Sequence, residues 1–264
     1  MFNCAVSLAG DCADIRGVKR LCALADVIVA ADGGADNLIK GGIIPDWVIG
    51  DNDSAHMSLP DKTSQLLFPQ DKDYTDGELA ISLALFLAAS SEDINDKKAL
   101  ISAVNAEDKE EFAQSLTKNF RQAHDITDLS FLILFPFGKR VDHSWTNVLL
   151  AASLARSGAL TYLSDGQTLV RIIAGTVSAQ AAFAPELLSA SILTEVAEPI
   201  FSAIPLDDNV KGFTLSGLKW DLDRAELPYN RATAVSNRPL EGEKADPVIS
   251  LEDGTVMLML TGAD

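Results

Sequence analysis

Short apolar runs and longer amphipathic stretches alternate along the first 165 residues of the chain. The apolar runs predict strands at residues 2–8, 26–31, 46–49, 65–68, 131–137 and about 160–163. Helical patterns lie between several of these strands, at 14–25, 77–90 and 144–157. Strands that are apolar along almost their whole length and are separated by helices are typical of a parallel sheet covered on both faces. Residues 1–165 are therefore predicted to form an α/β domain with a mainly parallel sheet.

The pattern changes after residue 165, where short β-type runs follow one another with turn signals between them. These runs are TLVRIIAG, SASILTEVA, PIFSAIPL, GFTLSGLKWDL, ATAVSN and PVISLEDGTVMLML. In the last run, Asp253-Gly254 separates two alternating stretches and predicts a hairpin. Because no long helical pattern appears, residues 166–264 are predicted to form an all-β, sandwich-like domain.

Residues 91–128 interrupt the α/β pattern with a polar and charged stretch of weak helical periodicity. This segment predicts one or two surface helices, which would form a helical insertion in the first domain. A solvated helical surface is the simplest interpretation of its charges.

Composition narrows the classes of function. The chain has 264 residues, of which 47% are hydrophobic, and a formal net charge of −17. A surface that binds nucleic acid needs clustered Lys and Arg, and the sequence has no such cluster, so no nucleic-acid partner is expected.

The N-terminus lacks a basic leader pattern, and the longest apolar stretch, 80–90, is too short to span a bilayer. The three cysteines have no CxxC spacing, and we expect a cytoplasmic protein that does not enter a membrane.

Four polar motifs follow predicted strands, at the ends where open parallel sheets bind their ligands. They are Asp32-Gly33-Gly34, Gly50-Asp51-Asn52-Asp53-Ser54, Asp71-Lys72-Asp73-Tyr74-Thr75-Asp76 and Gly138-Lys139-Arg140-Val141-Asp142-His143. A single loop of this kind could be a solvated turn. Four loops that meet at the same sheet edge predict one shared site.

Five carboxylates belong to these strand ends: Asp32, Asp51, Asp53, Asp73 and Asp76. Mg²⁺ takes oxygen ligands in proteins, usually one or two carboxylates together with substrate phosphates. Each aspartate by itself could be a turn or cap residue. Five of them without a cation would repel one another, so the group predicts a divalent-metal site.

The same loops carry residues suited to a phosphate ligand. Lys72, Lys139 and Arg140 are the nearby cations, and Lys72 and Arg140 are the predicted polyphosphate contacts. Gly33 belongs to a glycine pair that lets the backbone approach a ligand closely.

Thr75-Asp76-Gly77-Glu78 matches the capping box T-x-x-E ahead of an apolar helix. Asp76 then falls in the first helical turn, where the helix dipole favours a carboxylate. This structural role would explain Asp76 without a metal. Both roles are compatible, because a helix that starts at the carboxyl edge of a sheet points into the site.

In the β domain the stretch Thr214–Trp220 stands out. A tryptophan beside Gly and Ser could stack on a heteroaromatic ligand, but it could equally belong to the core. Ser236-Asn237 ends the next apolar run and is ambiguous by itself.

Six motifs, taken together and in this order, resemble the thiamine pyrophosphokinase family. They are ADGGADNL, PDWVIGDNDS, DKDYTDGELAI, GKRVDHSWTN, SGLKWDL and AVSN. The resemblance covers nearly the whole chain. It implies transfer of a pyrophosphoryl group from ATP to thiamine, giving thiamine diphosphate and AMP, with Mg²⁺ as cofactor. It also implies an α/β domain followed by a β-sandwich, in a homodimer that holds thiamine between the catalytic domain of one subunit and the β domain of the other.

The resemblance assigns roles residue by residue. The catalytic and metal-binding group would be Asp51, Asp53, Asp73 and Asp76. The ATP-binding group would be Asp32, Gly33, Lys72, Thr75 and Arg140. The thiamine-binding group would be Asp142, Ser216, Trp220, Ser236 and Asn237. A carboxylate, Asp73 or Asp76, would accept the proton of the thiamine hydroxyl.

The chain departs from the family at several positions. Lys139 stands where a second glycine is commoner, Thr214-Leu215-Ser216 stands where two threonines often precede the glycine, and 91–128 is longer than usual.

Two alternative functions would use the same residues. A Mg²⁺-dependent nucleotide phosphohydrolase would use the same acidic cluster with water as nucleophile, and a non-catalytic protein would only bind thiamine or nucleotide.

Overall fold

The computed structural model describes residues 2–51, 59–69, 73–89, 108–195, 198–240 and 247–262, and the single positions 96, 101 and 104. The first part of the chain alternates strands and helices. Its elements are β1 (Phe2–Ser7), α1 (Ile15–Cys22), β2 (Ala25–Ala31), α2 (Gly34–Lys40), β3 (Trp47–Gly50), β4 (Ser64–Leu67), α3 (Asp76–Ala89), α4 (Lys109–Arg121), β5 (Ser130–Leu134), α5 (Val141–Arg156) and β6 (Leu160–Ser164). All six strands are parallel, in the order β6-β5-β1-β2-β3-β4, which confirms the predicted parallel sheet.

The second part of the chain is mainly antiparallel β structure. Its elements are β7 (Leu169–Ala174), β8 (Val177–Ala181), α6 (Pro185–Ala190), a 3₁₀ helix (Ile192–Glu195), β9 (Ile200–Pro205), β10 (Val210–Ser216), β11 (Leu222–Leu227), β12 (Ala234–Asn237), β13 (Val248–Leu251) and β14 (Thr255–Thr261). Strands β7, β14, β9 and β12 extend the parallel sheet to ten strands. The remaining four form a second sheet in the order β11-β10-β13-β8.

The second sheet packs on the antiparallel half of the large sheet, as a sandwich requires. Phe213, Leu215 and Ile249 from the small sheet share one buried cluster with Phe201 and Val256 from the large sheet. The predicted fold class, an α/β region followed by an antiparallel β sandwich, is confirmed.

Two β predictions are wrong. The described part of the run SASILTEVA, residues 189–195, contains the end of α6 and the 3₁₀ helix Ile192–Glu195. Asp253-Gly254 does not close a hairpin, because β13 pairs within the small sheet and β14 pairs within the large sheet. Gly254, with φ +111°, carries the chain from one sheet to the other. A turn signal between alternating runs cannot distinguish these two connections, since both need the same local geometry.

The predicted boundary at residue 165 falls in the turn between β6 and β7, and it stays a prediction. The two strands pair antiparallel across this turn, so the large sheet continues through it. The backbone N–H groups of Ala13 and Asp14 donate to the carbonyl oxygen of Asp165, at 2.9 and 3.2 Å. At Gly166, with φ +95°, an added Cβ would collide with the carbonyl oxygen of Asp14. The turn is therefore packed closely against the start of α1.

The part of 91–128 that the structure describes contains α4. Its apolar side packs on α3, with the rings of Phe86 and Phe112 edge to face at 6.4 Å. Its last residue, Arg121, donates to Glu78 Oε1 at 2.7 Å and lies over the Tyr74 ring at 5.7 Å. The amphipathic helix matches the predicted surface helix, and its end is fastened to the first turn of α3. None of the helices in the described ranges has the length and apolarity that a bilayer crossing requires.

Candidate active site

A cavity of about 470 Å³ opens at the carboxyl ends of β1, β2 and β5. Four segments supply its walls: Leu8–Asp11, Ala31–Gly33, Thr75–Gly77 and the stretch from Pro136 to Asn147. Its volume is suited to a small-molecule ligand, and its position is the one where open α/β sheets bind ligands.

Three carboxylates meet at this edge of the sheet. Asp32 follows β2, Asp51 follows β3 and Asp76 is the first residue of α3. One oxygen from each lies within 4.8 Å of the other two. Asp32 is buried, and Asp51 and Asp76 are half-buried. Hard oxygen donors at this spacing are suited to a divalent cation.

Gly50 allows this convergence. A Cβ at Gly50 would lie 2.9 Å from Asp32 Cβ and 3.3 Å from Asp76 Oδ1. The φ of Gly50 is +153°, a conformation that L side chains rarely adopt. Asp32 itself has φ +37°, which is uncommon for a residue with a side chain and occurs preferentially at functional sites. The uncommon backbone conformations of Gly50 and Asp32 therefore accompany the close packing of the carboxylates.

Thr75 caps α3 as the sequence predicts. Its Oγ1 accepts the backbone N–H of Glu78 at 3.1 Å. The Glu78 side chain, which would form the reciprocal half of a capping box, accepts a hydrogen bond from Arg121. Asp76 lies in the first turn, where the positive end of the helix dipole favours its ionised form.

The loop Leu8–Asp11 is a wall of the cavity that sequence reasoning missed. The Gly10 N–H donates to the Phe135 carbonyl at 3.1 Å, and the Asp11 N–H donates to the Phe137 carbonyl at 2.6 Å. A Cβ at Gly10 would collide with both carbonyl oxygens. The available signal was Gly-Asp directly after an apolar strand, the same signal that identified the other loops.

The segment from Gly138 to Ser144 forms the start of α5 and the cationic side of the cavity. Arg140 lines the cavity, and its guanidinium donates to both oxygens of Asp142, at 2.9 and 2.6 Å. These hydrogen bonds lower the pKa of Asp142 and raise the pKa of Arg140. Lys139 also lines the cavity, and it has no ion-pair partner among the described residues. Ser144 Oγ accepts the Gly138 N–H at 3.0 Å and holds the loop closed.

The other predicted residues of the α/β region have different outcomes. Asp73 is exposed and belongs neither to the group of three carboxylates nor to the cavity wall. Asp142 lies beside the cavity without lining it. Asp53 and Lys72 lie outside the described residues.

None of the four predicted residues of the β domain lines the cavity. Ser216 ends β10, and Ser236 and Asn237 end β12. Trp220 is 53% exposed, so it is not a core tryptophan. The Lys219 Nζ lies 4.8 Å from the centroid of the Trp220 ring. Asn237 is buried and hydrogen-bonded to the backbone of Trp220.

An apolar stripe runs along the exposed side of α5, beginning beside the cavity. Val141, Trp145 and Leu149 are 76%, 54% and 41% exposed. Their spacing of four residues places them on one face of the helix. Large apolar side chains contiguous on a surface mark an interaction site more often than isolated ones do.

The mainly parallel sheet, the acidic cavity at its carboxyl edge and the attached β sandwich define an α/β enzyme with an accessory β domain. Two family models match the chain. The thiamin pyrophosphokinase catalytic domain matches residues 18–163, and the thiamin pyrophosphokinase vitamin B1 binding domain matches residues 190–256. The first match covers more than half of the chain, which therefore belongs to the thiamin pyrophosphokinase family. It is an enzyme that transfers a pyrophosphoryl group from ATP to thiamine.

Solved structures share this fold at low sequence identity. Thiamin pyrophosphokinase from Candida albicans aligns with a TM-score of 0.73 and 16% identity, over 99% of this chain and 89% of that chain. The yeast enzyme aligns with a TM-score of 0.68 and 17% identity, over 98% and 86%. The Bacillus subtilis enzyme aligns with a TM-score of 0.65 and 17% identity, over 99% of both chains. No curated protein sequence matches the chain.

Proposed function

We propose that the cavity at the carboxyl edge of the sheet binds ATP together with Mg²⁺, and that thiamine is held between this cavity and the β domain of a second copy. The observation that carries the proposal is the convergence of Asp32, Asp51 and Asp76 within 4.8 Å. Such a group is suited to a hard cation, and proteins commonly bind ATP with its phosphates coordinated to a cation of this kind.

The residues at this edge fit a magnesium ion. Asp51 and Asp76 would hold it, with Asp32 beside them in the same group of carboxylates. Asp53 and Asp73 are proposed as further ligands on the resemblance alone, and Asp73 does not belong to this group in the structure. Gly50 leaves room where a side chain would press on the carboxylates. When bound, Mg²⁺ would neutralise charge on the polyphosphate of ATP.

The chain's own residues then bind and orient the two substrates. Asp32, Gly33, Lys72, Thr75 and Arg140 form the proposed ATP-binding group. The Arg140 fork is suited to phosphate oxygens, and Arg140 lines the cavity while its guanidinium is hydrogen-bonded to Asp142. Asp76 borders the cavity and Asp73 does not, so we assign Asp76 as the acceptor of the thiamine hydroxyl proton. Most of the rate enhancement would come from positioning.

Asp142, Ser216, Trp220, Ser236 and Asn237 form the proposed thiamine-binding group. The cationic thiazolium ring of thiamine is suited to an acidic site, and an exposed indole can stack on its rings. Because the β-domain members do not line the cavity of their own chain, a second copy would supply them. The stripe Val141–Trp145–Leu149 beside the cavity is the surface on which that copy would dock.

We place the enzyme in the cytoplasm. Its three cysteines, all described, form no disulfide, as is usual in a reducing compartment.

The reaction is tested with purified protein, ATP, Mg²⁺ and thiamine, followed by chromatography. AMP and thiamine diphosphate should appear in equal amounts, and neither should appear without thiamine. Asp51→Asn and Asp76→Asn should each lower turnover by about 100-fold or more with unchanged thermal unfolding, while Asp61→Asn, an exposed aspartate, should not. ADP or phosphate formed without thiamine would instead indicate a phosphohydrolase.

The shared site is tested by mixing two impaired variants and measuring activity at a thiamine concentration below the wild-type KM. Asp76→Asn damages the cavity, and Trp220→Ala damages the β-domain wall. If the site combines both copies, the mixed dimers in a randomly exchanged sample should by themselves contribute about a quarter of the wild-type activity, since half of the dimers carry one intact site. No recovery, together with monomeric behaviour in analytical ultracentrifugation, would contradict the shared site.

A further inference from the structure

The loop between β10 and β11 presents Trp220 to solvent and is held in place at several points. The Leu218 side chain is buried, and its backbone N–H donates to Asp221 Oδ1 at 3.3 Å. The Lys219 N–H donates to the carbonyl oxygen of Arg238 at 2.8 Å. The loop is thus attached to the end of β12, which lies in the other sheet of the sandwich.

Asn237 makes the most extensive of these attachments. Its Oδ1 accepts the backbone N–H of Trp220 at 3.2 Å and the backbone N–H of Arg238 at 2.9 Å. Its Nδ2 donates to the carbonyl oxygen of Trp220 at 2.7 Å. The side chain therefore brackets both backbone polar groups of Trp220.

The orientation of this carboxamide is fixed by its partners. Rotating it by 180° would place the NH₂ group against two N–H donors and the oxygen against a carbonyl oxygen. Both acceptor positions of Oδ1 are in use, and the residue is 4% exposed. The Asn237 side chain has little capacity left for a ligand.

We infer that Asn237 is a positioning residue for thiamine, acting through Trp220, and not a residue that contacts thiamine. The inference rests on the proposed thiamine-binding role of Trp220. It replaces the direct contact that the resemblance implies for Asn237. These bonds fix the backbone from which the Trp220 side chain projects, and an aromatic residue with a fixed backbone loses less conformational entropy when a ligand stacks on its ring. The adjacent Ser236, exposed and with φ +62°, keeps its role in the thiamine-binding group.

A double-mutant cycle separates a positioning role from a direct contact. Trp220→Ala should raise the KM for thiamine by about five-fold or more, the range for loss of a stacking platform. Asn237→Ala should raise it by a comparable factor and leave the KM for ATP unchanged. In the Trp220→Ala background, Asn237→Ala should add less than about two-fold, because the residue through which it acts is already absent. A full additional loss in that background would overturn the inference.

A second readout follows Trp220 directly. The chain has three tryptophans, so 5-fluorotryptophan labelling gives three ¹⁹F signals, and Trp220→Phe identifies the one from Trp220. Asn237→Ala should shift and broaden this signal and leave the signal of the buried Trp47 unchanged. Asn237→Asp, which keeps the acceptor and loses the donor, should give an intermediate spectrum and an intermediate KM. Thr233→Ala, an exposed change in the same segment, should have no effect on either.

The outcomes distinguish this inference from the proposed thiamine site. If Trp220→Ala leaves the KM for thiamine unchanged, the proposed role of Trp220 fails, while the ¹⁹F signal still reports whether Asn237 positions the indole. If Asn237→Ala raises the KM for thiamine but leaves the Trp220 signal unchanged, the positioning role fails. If all signals change and the unfolding temperature falls sharply, Asn237→Asp and the double-mutant cycle decide between the two.

Discussion

Gly50 and Asp32 are so close that a methyl group on Gly50 would press on the side chain of Asp32, with 2.9 Å between the two Cβ atoms. This separation is shorter than carbon atoms normally tolerate. The same methyl group would lie 3.3 Å from an oxygen of Asp76. A glycine that ends β3 thus determines how closely the carboxylates on the neighbouring strand and helix can approach.

Gly50→Ala should therefore separate the carboxylates and weaken metal binding. We expect the Mg²⁺ concentration for half-maximal activity to rise about ten-fold or more, as measured by titrating activity with Mg²⁺. Gly175→Ala is the matched control, because Gly175 has φ +69° and no atom within 4 Å of an added Cβ. Backbone strain in Gly175→Ala should lower the free energy of unfolding by about 1–2 kcal/mol, and with it the unfolding temperature. The Mg²⁺ titration of this variant should be unchanged. An unaltered titration for Gly50→Ala would contradict this account.

The Arg140–Asp142 pair determines how Asp142 responds to acid. Its hydrogen bonds lower the pKa of Asp142, so this carboxylate stays ionised from neutral pH far into the acid range. Any contribution of ionised Asp142 to thiamine binding is fully present above the ordinary pKa of an aspartate. It is lost only when the pH falls through the lowered pKa of Asp142. As pH falls from about 5 to 4, where an ordinary aspartate begins to be protonated, Asp142 should therefore cause no change in the KM for thiamine of the wild-type enzyme.

Arg140→Gln should alter that profile. Without the guanidinium, the pKa of Asp142 returns towards its ordinary value near 4, and the KM for thiamine should rise as pH falls from about 5 to 4. The measurement is the KM for thiamine at saturating ATP over this range, with Arg20→Gln, which removes an exposed pair to Glu195, as control. A profile for Arg140→Gln that matches the wild type would show that Arg140 does not govern the ionisation of Asp142.

Lys139 should contribute to ATP binding in this enzyme. Its charge lies on the cavity wall, while the neighbouring Arg140 is engaged by Asp142. Lys139→Ala should raise the KM for ATP about three- to ten-fold, leave the KM for thiamine unchanged, and lose most of this effect at high salt. Steady-state kinetics at two ionic strengths test this, with Lys62→Ala, an exposed lysine, as control. An equal change in both KM values would point to a structural defect instead.

Lys219 should oppose thiamine binding. Its ammonium group lies over the Trp220 ring, where a cationic thiazolium would make the same kind of contact. Lys219→Gln should therefore lower the KM for thiamine about two- to five-fold, whereas Lys211→Gln on the preceding strand should not. A higher KM in Lys219→Gln would mean that the lysine supports the bound state.

The strands of the α/β part and the meeting of Asp32, Asp51 and Asp76 could be predicted because they follow from simple rules. Apolar runs of strand length alternate with helices, and the ends of parallel strands lie at one edge. The loop Leu8–Asp11 follows the same rule, and was overlooked because its polar signal is a single Gly-Asp. Helix α2 was also missed, since its seven residues directly follow the Asp32-Gly33 turn.

Other features depend on contacts that no local pattern carries. The bonds between Asn237 and the Trp220 backbone join residues 17 positions apart, and they link a loop of the small sheet to a strand of the large one. Whether Asp253-Gly254 turns back within one sheet or crosses to the other depends on which strands pair with β13 and β14. The first two residues of the run SASILTEVA are helical because they continue α6, which Pro185 begins at a position that proline favours.

The packed turn at Asp165 and Gly166 has a consequence for dividing the enzyme. A cut there would not release two modules, because it would break the pairing of β6 with β7 and open two buried clusters that each combine side chains from both halves, such as Leu21 with Phe201 and Ile133 with Met257. The thiamine-binding half expressed alone would carry a bare strand edge and a large apolar surface, and should aggregate. The two halves should consequently unfold together, in a single cooperative transition.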